Sequence, residues 1–177
     1  MNVSLPSGNP TELPEHIRGH YQLQESTMTL EEGLAEYYRV NPGLDDPKNI
    51  ENSESALWFR RHDTTHVIFG THTGDLNEGC NDYYTLFGVE LSFWAYLRGY
   101  AKTEQSKGIT AYYVKWDTLR MLWRTLVLTL PIRRLAKAMH KKWPWHPTQE
   151  MYQTPLAKLR AEYGIRVAHP HAMWAAR

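Results

Sequence analysis

Residues 53–78 read SESALWFRRHDTTHVIFGTHTGDLNE, and this stretch decides the fold. Trp58, His62 and His66 stand four residues apart, one stripe of a helix expected over about 54–69 with Phe69 near its end. Gly70 is suited to close that helix, because glycine enters a left-handed C-terminal conformation without strain. A short loop, Thr71 to Gly74, leads to Asp75, which has the chemistry to cap a further helix. From there Tyr83, Tyr84, Phe87, Leu91 and Trp94 recur at helical spacing as far as about Arg98. Gly79 and Gly88 inside that helix cost about 1 kcal/mol each relative to alanine. Close approach by another helix or a ligand would account for them.

Working outward, Thr29 and Glu32 have capping-box spacing and predict a helix to about Val40, ended by Asn41-Pro42-Gly43. Residues 1–28, rich in Pro, Gly and polar groups, read as an irregular lead-in. Downstream, a helix over about 111–129 is expected to bury Trp116, Leu119, Trp123, Leu126 and Val127 or Leu130. Pro131 suits the first turn of a helix over about 131–142, which Trp143-Pro144-Trp145 and Pro147 stop. A last helix runs from Pro155 to about Tyr163, closed by Gly164, and a polar tail occupies residues 167–177. No alternating strand pattern competes, and no segment repeats. The expectation is an all-α, single-domain bundle of about six helices over residues 29–166.

The length, 177 residues, suffices for one domain with a real core. The formal net charge is +1, yet from Thr118 to Gln149 no residue is acidic and seven are basic: Arg120, Arg124, Arg133, Arg134, Lys137, Lys141 and Lys142. Such a block suggests an anionic partner, a membrane surface or nucleic acid. No nucleic-acid motif accompanies it, so nucleic acid is not expected. Cys80 is the only cysteine, which excludes an intrachain disulfide and a cysteine-rich zinc site and fits a reducing compartment. No apolar run approaches the roughly 20 residues that cross a bilayer, and residues near the N-terminus resemble neither a signal peptide nor a mitochondrial presequence. An intracellular protein, soluble or resting on a membrane, is expected.

Residues i and i+4 of a helix lie about 40° apart around its axis and about 6 Å apart along it, so His62 and His66 can aim at one point. Asp63, three residues before His66, can reach that point from the flank. Glu78, twelve residues after His66, falls in the first turn of the next helix, held near by the short loop. Two imidazoles with carboxylate suit zinc, iron(II) or manganese and leave positions for water or substrate. A packed or solvated histidine pair has the same spacing, and Asp75-x-x-Glu78 is also a capping-box spacing. His72 reads as a surface residue. Glu90 lies about 18 Å from Glu78 along a continuous helix, too far to share an ion, and a buried ion pair is its expected use.

The run His62-Asp63-x-x-His66, eleven residues, then Glu78 resembles the signature of the coenzyme Q biosynthesis protein 4 family. Val67 to Gly70, Thr154-Pro155-Leu156, Leu159-Arg160 and Gly164-Ile165 are also similar to that family, and the likeness covers roughly residues 29–166. Asn77 departs from it, standing where many relatives have glycine. The resemblance implies a peripheral membrane protein of quinone synthesis holding a divalent ion, most readily zinc, on His62, Asp63, His66 and Glu78. It implies oxidative removal of the C1 carboxyl of a polyprenyl-hydroxybenzoate, with hydroxyl put in its place. It further implies homodimers and contact with other enzymes of quinone synthesis.

A polyprenyl-phenol substrate that stays in the bilayer makes membrane contact necessary. The helix over 131–142 carries Ile132, Leu135, Ala136 and Met139 on one side and Arg133, Arg134, Lys137, Lys141 and Lys142 elsewhere. Followed by Trp143 and Trp145, it has the makings of an interfacial helix on an anionic membrane. That places the protein on the cytoplasmic face of a bacterial membrane, or the matrix side of a mitochondrial one. A core-packed surface helix has the same pattern. Two further functions compete. One is a non-catalytic prenyl-lipid scaffold for quinone-synthesis enzymes. The other is a phosphohydrolase with a His-Asp centre, which would need His16 or His20 and Asp117 at the same site.

Overall fold

Helix α1, Leu30–Val40, forms where Thr29 and Glu32 place it. The Thr29 hydroxyl accepts the Glu32 N–H at 3.2 Å and the Glu32 carboxylate accepts the Thr29 N–H at 2.8 Å. The structure, a computed structural model, describes residues 16–41, 43–44, 53–101 and 126–175. Helix α2, Ser53–Phe69, packs on α1 and buries residues 63–70 continuously. It closes at Gly70, whose φ of 75° is the left-handed conformation expected there. Helices α3, Asp75–Gly88, α4, Phe93–Ala101, α5, Thr129–Ala138, and the short α6, Gln149–Tyr152, follow. Helix α7, Leu156–Tyr163, ends at Gly164 with φ 68°, and α8 spans Pro170–Ala175. Among the described residues there is no strand, and the fold is all-α as expected.

The helix foreseen over 75–98 is two helices. The backbone at the break pairs with the Trp143 segment: Trp143 N–H donates to Gly88 O and Glu90 N–H to Trp143 O, each at 2.8 Å. These bonds satisfy backbone groups that a continuous helix would have used internally. Close approach does explain Gly88, where a Cβ would come within 3.0 Å of Met139 Sδ. Glu90 beyond it is exposed rather than buried.

Trp143 and Trp145 are core residues, 1% and 6% exposed, and not membrane-facing. Helix α5 stops at Ala138 instead of about 142, and the chain then turns inward, so Trp143 meets Tyr163 and Trp145 meets Trp58. The apolar face of α5 packs on α3, with Ile132 fully buried, while Arg133, Arg134, Lys137, Lys141 and Lys142 stay exposed. Of the helix expected over 111–129, residues 111–125 lie outside the described residues, as do Trp116, Asp117 and Trp123. Leu126 and Leu130, expected inside, are 51% and 63% exposed, and Leu128 is buried in their stead.

Both terminal assignments change as well. Within the expected lead-in, His20–Gln22 form a 3-10 turn and Tyr21 is fully buried. Within the expected tail, Val167 and Ala168 are buried ahead of α8. Arg160, fully buried on α7, joins these parts. Its guanidinium donates to the Ile68 and Val67 carbonyls at 3.0 and 2.8 Å and to those of Tyr21 and Leu23 at 2.6 and 2.5 Å. Val67 and Ile68 sit at the end of α2, where carbonyls run short of intrahelical partners; Val67 O also accepts the Gly70 N–H at 3.3 Å. Burial pulls the Arg160 pKa down to about 10, which leaves it charged at neutral pH.

Candidate metal centre

The C-terminal half of α2 and the first turn of α3 face each other across the loop Gly70–Gly74. Ligand atoms of His62, His66 and Glu78 all lie within 4.8 Å of one another, with His66 Nε2 3.3 Å from Glu78 Oε2. Donors around one tetrahedral zinc stand about 3.3 Å apart. Glu78 is released for this role because α3 begins one residue earlier than a capping box at Asp75 requires. Gly74 is the N-cap, so Asn77 takes the third position and Glu78 the fourth.

A chain of buried polar groups fixes the His66 ring. The Thr65 hydroxyl donates to His62 O at 2.6 Å and so accepts from Asn81 Nδ2 at 2.9 Å. The Asn81 carbonyl then accepts the Thr71 hydroxyl at 3.3 Å, which leaves Thr71 Oγ1 to accept from His66 Nδ1 at 2.9 Å. With its proton assigned to Nδ1 in this way, His66 presents a lone pair at Nε2. That nitrogen is buried and has no hydrogen-bond partner among the described residues. A cation accepting both the Nε2 lone pair and Glu78 fits it.

Asp63 stands outside the converging group. Its Oδ1 lies 3.4 Å from His62 Nδ1 and its Oδ2 accepts the Tyr38 hydroxyl at 3.0 Å. It is therefore the carboxylate behind a ligand, setting the His62 tautomer so that Nε2 faces the centre. Trp58 stacks on His62 with centroids 5.3 Å apart, and Tyr37 stacks on His66 at 5.3 Å. These rings fix the imidazole planes.

Burial opposes charge on His62, but the Asp63 hydrogen bond and the negative charges of Glu78, Asp63 and Asp82 outweigh it and raise the pKa to about 9. Partial burial also opposes charge on Glu78, and His66 with His62 overcomes it, holding the carboxyl at about 2. The centre thus sets a carboxylate beside the His62 imidazole, whose proton a divalent cation would replace.

His72, expected on the surface, is buried. Its Nδ1 accepts the Gly74 N–H at 3.0 Å and its Nε2 meets Asn77 Nδ2 at 3.0 Å. Burial, aided by Arg18 and His171, pushes its pKa down to about 4. Asn77, the departure from the family pattern, is thereby occupied in holding the loop. His20 pairs with Glu36 at 3.1 Å and His16 lies against His169. The further histidine of a phosphohydrolase centre is therefore not supplied by either.

Sequence reasoning missed Thr65, Thr71 and Asn81, whose only signal is small polar residues flanking the two histidines. It also missed Asp82, four residues after Glu78, whose Oδ1 lies 4.0 Å from His62 Nε2 and accepts the Tyr96 hydroxyl at 2.8 Å. Asp82 and Tyr96 line a pocket of about 220 Å³ with Tyr83, Thr85, Leu86, Leu91 and Phe93.

Fold and site together define a class: an all-α protein with a candidate divalent-cation centre of two histidines and one glutamate. Neither a family model, nor a curated protein, nor a solved structure gives a match to the chain.

Proposed function

We propose that the chain is a metal-dependent enzyme of ubiquinone synthesis that removes the C1 carboxyl of a polyprenyl-hydroxybenzoate oxidatively and leaves a hydroxyl in its place. The observation that carries this reading is the convergence of His62, His66 and Glu78, with His66 Nε2 buried, facing Glu78 Oε2 at 3.3 Å and making no hydrogen bond among the described residues. A divalent ion, zinc by donor chemistry with iron or manganese as alternatives, would supply Lewis-acid polarisation of the aryl carboxylate or phenolate. His62, His66 and Glu78 would hold that ion with three donors, and Trp58 and Tyr37 stack on the two imidazoles. The adjoining pocket offers room for a ring beside His62. In the reaction the bond from C1 to the carboxyl breaks and CO2 leaves, a C–O bond forms at C1 with an oxygen from water, and dioxygen takes up the two electrons and two protons released, leaving as hydrogen peroxide.

A lipid substrate agrees with a peripheral position on the cytoplasmic face of a bacterial membrane, or the matrix side in mitochondria. No described helix is long and apolar enough to cross a membrane. Homodimers and contact with neighbouring enzymes of the pathway belong to the same reading, and nucleic acid does not.

One observation favours a second reading. The donors come from two helices, so an ion would also clamp α2 to α3, as a non-catalytic prenyl-lipid scaffold would use it. Elemental analysis of the purified protein and of His66→Ala, with lipid extraction from both, tests the first point. One ion per wild-type chain, absent from the variant, is expected, and wild-type protein without metal would end both readings. Incubating metal-loaded protein with precursor and dioxygen separates them: C1-hydroxylated product identifies the enzyme, and bound but unchanged precursor the scaffold.

A further inference from the structure

We infer that Tyr38 of α1 acts through Asp63 as a positioning residue for His62, so that ion binding is coupled to the docking of a helix that supplies no ligand. The inference rests on the centre proposed above. It concerns what makes that centre ready for an ion.

Adjacent residues of a helix lie about 100° apart around its axis, so Tyr37 and Tyr38 leave α1 in different directions and meet different parts of α2. Tyr37 is 1% exposed and lays its ring on that of His66, with centroids 5.3 Å apart and planes 25° apart. Tyr38 donates its hydroxyl proton to Asp63 Oδ2 at 3.0 Å, and Asp63 Oδ1 lies 3.4 Å from His62 Nδ1. One helix thus bears on both imidazoles, on one by ring contact and on the other through a carboxylate.

Asp63 is 6% exposed. A carboxylate taken out of water needs hydrogen-bond donors. Here one oxygen has a donor from α1 and the other faces the ligand imidazole. The Tyr38 bond sets how the carboxylate plane turns. Without it Oδ1 is free to rotate away from His62, and the imidazole loses the group that holds its proton on Nδ1. The packing of α1 brings the hydroxyl within reach. At Gly33 a Cβ would stand 2.8 Å from Val67 Cγ1, so the two helices approach closely there, and Glu31 pairs with Arg60 of α2.

Coupling of this kind is reciprocal. A docked α1 readies His62 for an ion, so an ion on His62 steadies α1 by the same free energy. The amides of α1 should therefore exchange more slowly when the centre is filled, although no ligand atom lies on that helix.

The test uses the full chain with Co2+ as the probe, as wild type, Tyr38→Phe, Asp63→Ala and the double variant. Phenylalanine keeps the ring and removes only the hydroxyl. Competition against a chromophoric chelator is expected to find Tyr38→Phe weaker by about tenfold, the lower end of what loss of a group behind a ligand costs. In the Asp63→Ala background the same substitution should add nothing, because its route to His62 is already gone. Hydrogen exchange along α1 should slow when Co2+ is added to the wild type, and slow less in Tyr38→Phe. A tyrosine with a purely structural role would lower the melting temperature of the metal-free variant and leave Co2+ affinity unchanged. That result, or losses that multiply in the double variant, overturns the inference. The exchange measurement needs only the wild type, and Co2+ that protects α2 and α3 but not α1 overturns it as well. Wild-type chain that takes up no Co2+ ends the centre and this inference together, whereas uptake with unchanged affinity in Tyr38→Phe ends this inference alone.

Discussion

A histidine ligates a metal through a nitrogen that carries a lone pair, so the group on its opposite nitrogen decides whether it is ready to do so. Asp63 plays that part for His62, and Thr71, through Asn81 and Thr65, plays it for His66. Removing a supporting group differs from removing a ligand. Asp63→Ala is expected to keep one ion per chain with affinity lower by about 10–100-fold, whereas Glu78→Ala or His66→Ala loses the site. Competition against a chromophoric chelator measures this, and complete loss of metal in Asp63→Ala would return Asp63 to the ligand set. The pairing of His62 with His66 was legible because four residues make nearly one helical turn. The direction of Asp63 was not, since one residue on from His62 is about 100° around the axis, where it meets Tyr38 of α1. His72 was misplaced for the same reason: its burial is made by residues distant in sequence. Its pKa falls from 6.5 unfolded to about 4 folded. Between those values the unfolded chain binds a proton that the folded chain refuses, so this contribution is complete above about pH 6.5 and is lost as pH falls towards 4. Urea midpoints should drop across that window, and His72→Gln should flatten the drop. A slope unaltered by the substitution would show that His72 does not cause it.

Helices here are held in register by bonds to other segments as much as by their own periodicity. Periodicity located α1, α2 and α7, where Thr29, Gly70 and Gly164 mark the ends in the sequence itself. It ran α3 and α4 together because Tyr83, Tyr84, Phe87, Leu91 and Trp94 keep helical spacing across the break. The cause of the break, pairing of residues 88–90 with Trp143, is more than fifty residues away. Trp94, the last residue of that spacing, is 71% exposed in consequence. Arg160 is the clearest inter-element bond. It ties α7 to the last carbonyls of α2, one to two residues beyond His66, and so holds the helix that carries both histidines. Arg160→Met keeps much of the side-chain volume but takes the guanidinium from the Tyr21 and Ile68 carbonyls and leaves those of Val67 and Leu23 only the N–H groups of Gly70 and Ser26. A loss of about 3 kcal/mol or more is expected, read as a lower urea midpoint. Metal affinity should fall with it even though Arg160 touches no ligand. An unchanged midpoint would mean that those carbonyls find other donors.

At the scale of the whole molecule, an amphipathic basic helix has one sequence pattern for two situations, an apolar face turned to the core or to lipid. For α5 the choice is settled by packing: Ile132 is fully buried against α3, and Trp143 and Trp145 lie inside. What remains outward is charge, with Arg133, Arg134, Lys137 and Lys142 exposed, and Lys141 paired with Glu162 at 2.6 Å. Membrane attachment through this helix would therefore be electrostatic, without tryptophan insertion. Each exposed cation near an anionic surface contributes about 1 kcal/mol, and the attraction decays over a Debye length of about 8 Å at physiological salt. The chain is expected to sediment with phosphatidylserine-containing vesicles and not with pure phosphatidylcholine vesicles, and to be released by about 0.5 M salt as the Debye length shortens. Replacing Arg133, Arg134 and Lys137 with glutamine removes three charges from exposed positions. It should weaken vesicle binding by about 100-fold or more while leaving the melting temperature and metal content in place. Trp143→Ala, by contrast, should destabilise the fold, because it empties a core position and removes no lipid contact. Binding to neutral vesicles that survives high salt would overturn the electrostatic account and move the contact to apolar side chains that remain outside, such as Leu130 at the start of the same helix.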